Sequence, residues 1–465
     1  MGDDAHPKSN EKTCVLWQNE DHTVTLLDIP RSLELAQQFE CLDERRLWSS
    51  PPLKQPYPSL EPKSRKAVAA LKTPDINDLI LHRVLTLALE EAGAAIRKNG
   101  NGSLAWCLSR SCYDDEELSR LQDAREAKRH HISYNLGVAS NNTSGLLLSL
   151  STPGYQNGKS QADDSDSSPS APLPFYKNTS GRTVTLPLPG GNSPAIVPAN
   201  STHIQGEIAS TLPIFTQNAP QFPLIILDPP WPNRSARRAG CYQTSYGLSE
   251  ISALLSSIPI RSKLQKNGLV GVWITNKESF RELLLGKDGE SGLFAEWGVE
   301  LVEEWAWLKI TENGEPMSPV DGTWRKPYEI LLVGRNISNV EIDTDSCEVA
   351  PQSEIDEISG TGRGKEVGIS DDEPFIVPMP VKRRVIIAVP DMHSRKPNLR
   401  AVFAPLLPHS PAPPRCLEIF ARNLTADSWA WGNEVLKFQR LEHWTTECAD
   451  TKRVAGDIEE CVVPV

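Results

Sequence analysis

The chain has no apolar run near the ~18 residues that a membrane-spanning helix needs, and its first residues, Met1-Gly2-Asp3-Asp4-Ala5-His6, are polar and acidic. The expectation is therefore a chain without a spanning helix or a secretory leader, intracellular and with no membrane partner. Its nine cysteines form no Cys-x-x-Cys pair, and only Cys107 and Cys112 are close together. That spacing argues against a zinc site or a disulfide framework and for buried reduced thiols, with no metal. Apolar residues are also scarce, 39% of 465, because two long polar stretches dilute the part of the chain that can bury a core. The length allows two or three domains.

Basic charge is short as well, with a formal net charge of −12. Between Glu341 and Phe375, however, eleven Asp and Glu face only Arg363 and Lys365, a net of −9, so one segment holds most of the excess. Elsewhere lie basic clusters: Arg234, Arg237 and Arg238; Arg325 and Lys326; Lys382, Arg383 and Arg384; Arg395, Lys396 and Arg400. Each alone reads as a solvated face, yet a local basic rim is enough for phosphate contacts.

What is present is patterned. Residues 1–150 read as a mainly helical N-terminal accessory region, with near-helical apolar spacing over Ile76–Lys98 and a more polar helix over Glu116–His131. Residues 151–183, rich in Ser, Asp, Gly and Pro, read as a linker. Over 184–450 strand and helix patterns alternate. Leu224–Leu227, Val270–Thr275, Glu304–Lys309, Ile330–Val333, Val385–Val389 and Cys416–Phe420 are expected strands, and Ser249–Ser256, Lys277–Leu285 and Asn398–Phe403 expected helices. Such alternation predicts an α/β sheet. The acidic stretch 338–375 is an expected disordered insertion, and 451–465 a tail.

One tetrapeptide carries chemistry. Asp228-Pro229-Pro230-Trp231 follows the apolar run Leu224-Ile225-Ile226-Leu227, which places it beyond the carboxyl end of an interior strand, where open α/β sheets bind ligands. The exocyclic amine of a nucleobase is a poor nucleophile because its lone pair is delocalised into the ring. Two acceptors, the Asp228 carboxylate and the Pro229 carbonyl, could take its two hydrogens and draw the nitrogen toward a tetrahedral geometry. Consecutive prolines hold such acceptors still, and Trp231 offers a ring on which a base can stack.

These residues resemble a known family. Asp228-Pro229-Pro230-Trp231, then Gly271-Val272-Trp273-Ile274-Thr275-Asn276, then Glu304-Trp305-Ala306-Trp307-Leu308-Lys309, look in order and spacing like the MT-A70 adenine-N6 methyltransferases. Lys326-Pro327-Tyr328-Glu329, His393-Ser394-Arg395-Lys396-Pro397, Glu418-Ile419-Phe420-Ala421-Arg422-Asn423 and Trp431-Gly432-Asn433-Glu434-Val435-Leu436 are most like the stand-alone branch, that of methyltransferase-like protein four. The resemblance implies a permuted Rossmann-like methyltransferase sheet, the catalytic motif preceding the main cofactor strand, and S-adenosyl-L-methionine as cofactor.

Carried over residue by residue, the resemblance makes Asp228, Pro229, Pro230 and Trp231 catalytic. It makes Glu207, Ile208, Asp228, Lys396, Phe420, Arg422, Asn433 and Glu434 cofactor-binding. The glycine-rich loop of many methyltransferases is missing, and Ala421 stands where some relatives have glycine. The loop leaving the catalytic turn suggests Asn233, Arg237, Arg238 and Tyr242 as substrate contacts, with Trp273 as a pocket wall and Lys326 in the rim. The implied reaction is methylation of adenine N6, with 2′-O-methyladenosine of U2 small nuclear RNA as leading substrate and DNA adenine as its rival. Cytosine N4 or a protein amide would need the same acceptors. A catalytically inactive RNA-binding scaffold is the alternative of another class. The resemblance further implies a monomer, partnered by RNA or DNA and resident in the nucleus or also the cytoplasm.

Overall fold

The computed structural model describes residues 13–39, 45–58, 65, 68, 74–99, 104–112, 174–188, 193–232, 247–322, 325–337, 381–392, 395–407 and 414–445. Its centre is an 11-stranded sheet. In chain order the strands are β1 (Val15–Gln18), β2 (Val24–Leu27), β3 (Phe175–Lys177), β4 (Thr202–Gln205), β5 (Phe222–Leu227), β6 (Leu264–Ile274), β7 (Val299–Lys309), β8 (Tyr328–Asn336), β9 (Lys382–Ala388), β10 (Cys416–Ile419) and β11 (Trp429–Gly432). Side by side they run β1-β2-β9-β7-β8-β6-β5-β10-β11-β4-β3. The principal helices are α1 (Ile29–Ala36), α2 (Ile76–Lys98), α3 (Ile208–Asn218), α4 (Leu248–Ser257), α5 (Glu278–Leu285) and the short α6 (Arg400–Phe403).

Strands β6, β5, β10, β11 and β4 form a parallel block, so their carboxyl ends share one edge of the sheet. Strand β10 comes late in the chain yet lies between β5 and β11, which is the permuted order that the resemblance implies. The α/β expectation holds, and each sequence-predicted strand of this region coincides with an observed one.

Two-sided burial explains why β5 reads as an unbroken apolar run. Ile225 and Leu227 pack with Phe215 of α3 and with Ile251 and Leu255 of α4. Leu224 belongs to the opposite core, with Leu33 of α1 and Phe403 of α6. Leu224, Ile225 and Leu227 are all fully buried, each stabilising the fold by roughly 1.5–3 kcal/mol. The end of β5 is thereby anchored from both faces, and so is the residue that follows it.

The N-terminal stretch is not a helical region set apart from the sheet. Helix α2 spans the residues its periodicity predicts, and Asp75 caps it by accepting from Asp78 N at 2.8 Å. Ahead of it, however, β2 pairs in parallel with β9 through Val24, Thr25 and Leu26, and β1 adds outside β2. With only four residues each, these strands are too short for a periodicity argument, and their pairing is set by the exposed edge of β9. Helix α1 starts where Asp28 accepts from Arg31 N at 2.9 Å, with Pro30 in its first turn. Helices α1 and α2 pack on opposite faces of the sheet: Ile29 and Leu33 in one core, Leu81, Leu85, Ala88 and Ala92 in the other.

The expected linker also ends sooner than its composition suggests. Phe175 pairs with Ile204 and Lys177 with Thr202, making β3 an antiparallel edge strand within 151–183. The helix expected over Glu116–His131, the acidic insertion 338–375 and the tail 451–465 lie outside the described residues. Among the described residues no helix is long and apolar enough to cross a membrane. Cys14, Cys107, Cys112 and Cys416 are free thiols.

Candidate active site

Asp228 is the first residue beyond β5, and its backbone N–H donates to Ile419 O at the end of β10 at 3.3 Å. Two cations converge on its carboxylate. Arg422, three residues beyond β10, donates through Nη1 to Oδ2 at 3.2 Å, and Lys396 Nζ stands 3.7 Å from Oδ1. Sequence-distant residues thus meet where adjacent parallel strands end.

Lys396 is held on every side. It is ion-paired to Glu329, which also pairs with Lys309, and its ammonium lies 4.7 Å from the ring centroid of Trp273, a cation–π contact. Burial alone would push the Glu329 carboxyl up, but the Lys396 and Lys309 ammoniums outweigh it and hold it at about 2. Burial would likewise lower Lys396, and Asp228 and Glu329 overcome it, so its pKa is raised and it stays charged. Trp273 is buried, edge-on to Trp307. With Lys396, Glu418, Asn423, Thr425 and Arg400 it bounds a cavity of about 30 Å³.

A second carboxylate, Glu418 on β10, borders the same cavity. Burial pushes its carboxyl up to about 7, with the Asp228 charge adding and Arg422 opposing. Arg422 also donates through Nε to Glu434 at 3.0 Å, and Lys437 Nζ pairs with Glu434 at 2.9 Å. Burial would raise Glu434, but Lys437 and Arg422 outweigh it and lower it.

The strand-end turns are strained in a way that brings these groups together. Phe420, directly after β10, has φ +61°, the left-handed region. Gly432, at the end of β11, has φ +150°, and a Cβ there would sit 3.1 Å from Phe420 Cα. At this turn the positive φ falls on Phe420 and the close backbone approach on Gly432, not on Ala421.

The MT-A70 family model matches residues 222–367. N6-methyladenosine RNA methyltransferase MTA1 of Pyricularia oryzae is 35% identical over 449 residues, 92% of this chain and 96% of that protein. MTA1 of Cryphonectria parasitica is 34% identical, covering 95% of this chain and 97% of its own length. The chain belongs to the MT-A70 family. The human N(6)-adenine-specific methyltransferase METTL4 is 30% identical over 273 residues, 58% of this chain and 49% of that protein. This MT-A70 chain is thus similar to MTA1 along nearly its whole length and to METTL4 over about half.

Other residues of the MT-A70 motifs take places that the sequence did not indicate. Trp231 is not an open platform: it is 7% exposed, stacks on Phe280 of α5 at 4.5 Å and 24°, and donates through Nε1 to Trp273 O at 2.6 Å. Burial of so large a ring outweighs leaving it in solvent, so it anchors the turn from within the core. The Pro229 carbonyl accepts the Trp231 N–H at 2.8 Å, which leaves one lone pair for a further donor. Lys326 does not point toward Asp228; its ammonium pairs with Asp78 of α2 at 2.7 Å, in a segment that also brings the Tyr328 hydroxyl 3.3 Å from His82 Nε2. Ile208 is core, packed at the start of α3, and Glu207 before it is exposed. Asn433 is exposed directly after β11.

Asn233, Arg237, Arg238 and Tyr242 lie outside the described residues. Glu329, Lys309 and Glu418 were not singled out from the sequence, although all three sit inside quoted motifs. For the two acids the signal was there: each is a lone carboxylate within an apolar strand, and a buried charge is retained only where it is paired or used. Among the described residues no cluster of three or more His, Cys, Asp or Glu could hold a metal ion.

Proposed function

We propose that this chain transfers a methyl group from S-adenosylmethionine to N6 of adenosine in RNA, with Asp228 as the residue that receives the amine. The observation that carries this reading is the meeting of Asp228, Lys396 and Arg422 at the carboxyl ends of β5 and β10. The donor set suits the cofactor. A zwitterionic amino-acid end needs both a cation and a carboxylate, which Lys396 and Asp228 offer, and a ribose diol suits the Arg422, Asn433 and Glu434 side chains. Gly432 leaves room where a side chain would close the crevice. Phe420 gives an apolar wall, and Glu207 and Ile208 begin α3 at the carboxyl end of neighbouring β4.

The bound cofactor supplies an activated methyl group on a sulfonium. Asp228 accepts one N6 hydrogen and the free lone pair of the Pro229 carbonyl the other, drawing the nitrogen lone pair out of the ring. The Pro229-Pro230 segment, pinned by Trp231, keeps these acceptors in place. Asp228 or water takes the departing proton. The base is single-stranded or extruded, since a stacked amine cannot reach the donor.

RNA is favoured because the relatives matched over their whole length are named RNA methyltransferases. We further infer 2′-O-methyladenosine in U2 small nuclear RNA as the substrate, in a monomeric nuclear enzyme, on the motifs shared with the stand-alone branch. The test is labelled cofactor with a panel of RNA and DNA oligonucleotides, with and without 2′-O-methyladenosine. Label is expected in RNA adenine, highest with the 2′-O-methyl group, and none with Asp228→Ala. Preference for DNA would overturn the substrate reading, full activity of Asp228→Ala the mechanism, and absence of cofactor heat by calorimetry the enzyme itself.

A further inference from the structure

Lys396 and Arg422 sit on two loops far apart in the chain, and both loops are fastened to the same N-terminal helix. Ser32 of α1, 3% exposed, donates to Ile29 O at 2.7 Å and accepts the backbone N–H of Asn398 at 3.0 Å, two residues after Lys396. Gln37, at the carboxyl end of α1 and 1% exposed, donates to Leu424 O at 3.0 Å, two residues after Arg422. Its carbonyl oxygen accepts from Gln439 Nε2 at 2.9 Å, and Gln439 Oε1 accepts the Leu424 N–H at 3.2 Å, so both polar groups of the Leu424 backbone are bound by one buried amide pair. Ala36 O accepts the Ala426 N–H at 2.8 Å.

The two loops are also tied to each other. Asn398 Nδ2 donates to Thr425 Oγ1 at 2.8 Å, and Arg400 Nη1 to Ala426 O at 2.7 Å. A further brace holds the Lys396 loop from outside α1. Arg395 and Asp391 are a fully enclosed ion pair at 2.6 Å, Arg395 donates to Trp48 O at 2.9 Å, and Asp391 accepts the Ser50 N–H at 2.9 Å.

We propose that α1 is a positioning element of the methyl-transfer site: Ser32 sets the loop carrying Lys396, and Gln37 the loop carrying Arg422, so that both cations reach Asp228 in one register. The residues of α1 do not themselves touch the reacting atoms. A buried hydroxyl that caps a loop N–H has no solvent substitute, so its loss lets that loop relax, and a misplacement of about 1 Å is enough to cost affinity or rate. The inference rests on the reading that Lys396 takes the carboxylate of the cofactor's methionine end.

The test compares binding of S-adenosylmethionine and of 5′-methylthioadenosine, which lacks the amino-acid end, by calorimetry on the full chain. Ser32→Ala, which keeps a good helix former, is expected to weaken S-adenosylmethionine five- to twenty-fold while methylthioadenosine changes less than two-fold. Ser32→Thr, which keeps the hydroxyl, should restore the wild-type ratio. Equal weakening of both ligands, or no change in the ratio, would overturn the proposal. Lys396→Met separates the two layers: if it lowers the ratio and Ser32→Ala does not, the role of α1 is wrong and the reading of Lys396 stands. If neither lowers it, both fall. Should Ser32→Ala not fold, Gln37→Met is read instead: because it acts through Arg422 and the ribose that both ligands carry, it is expected to weaken both to a similar degree while Gln37→Glu, which keeps an acceptor for Gln439, weakens them less, and unchanged binding of both ligands to Gln37→Met would overturn the proposal.

Discussion

Lys396 Nζ stands 3.7 Å from Asp228 Oδ1 and is ion-paired on its other side to Glu329. One ammonium therefore links the carboxylate proposed to meet the substrate amine to a carboxylate on the neighbouring part of the sheet. With Lys309 on Glu329 and Arg422 on Asp228, charges alternate in sign along the whole chain of contacts.

That alternation makes Glu329 a pH-sensitive support. Its folded pKa, about 2, lies below the ordinary value of 4.5, so its contribution is fully present above pH 4.5 and is lost as pH falls toward 2. The shift corresponds to roughly 3 kcal/mol at neutral pH, reduced by partial exposure. Glu329→Gln should therefore destabilise the protein by roughly 2–3 kcal/mol at pH 7, and the gap from wild type should narrow at pH 3, as read by urea denaturation. A gap that is the same at both pH values would show that the ion pairs do not stabilise the fold.

Asp228→Asn keeps the size of the side chain but replaces one acceptor oxygen by a donor amide, which opposes an N6 hydrogen instead of receiving it. Loss of one such acceptor should lower kcat by about 10²–10³-fold. Single-turnover transfer with saturating cofactor and RNA measures this. A loss confined to KM would assign Asp228 to binding alone.

Trp231 separates packing from recognition. Because the ring is buried on Phe280, Trp231→Ala should cost roughly 3–5 kcal/mol of stability, and Trp231→Phe, which keeps an aromatic ring but loses the Nε1 bond to Trp273 O, roughly 1 kcal/mol. RNA affinity of the Phe variant should change less than two-fold. A large drop in RNA affinity with unchanged thermal stability would restore Trp231 as a base platform.

The sheet was legible where burial on both faces forces a simple pattern. Leu224-Ile225-Ile226-Leu227 announces an interior strand, and the periodicity of Ile76–Lys98 a helix that buries one face. Asp228, Lys396 and Arg422 were legible through their motifs. The short strands β1–β3 were not, because three or four residues carry no period, and a composition rich in Ser and Pro masked Phe175–Lys177. Nor were the contacts of Ser32, Gln37 and Glu329, since each involves a partner more than sixty residues away. Trp231 misled for a related reason: sequence shows that a ring is present but not which neighbour takes its face.

Glu418 behaves oppositely to Glu329. Its folded pKa, about 7, is raised above the ordinary 4.5, chiefly by burial and then by the Asp228 charge. A carboxylate raised in this way costs the folded state nothing below pH 4.5, and an increasing penalty as pH climbs to 7, constant above it. Replacing it with the neutral, near-isosteric Gln removes the penalty, so Glu418→Gln should stabilise the ligand-free protein by roughly 1–3 kcal/mol at pH 8 and by little at pH 4.5. The charges of Asp228 and Arg422 act on Glu418, and Lys396 lines the same cavity, so the variant should also alter the pH profile of transfer, removing an inflection near pH 7 if Glu418 is its source. Denaturation curves at both pH values check the first outcome. A loss of stability at pH 8 would mean that Glu418 is held as a carboxylate by its cationic neighbours and that Arg422, rather than burial, sets its charge; a stabilisation independent of pH would mean that burial does not raise its pKa.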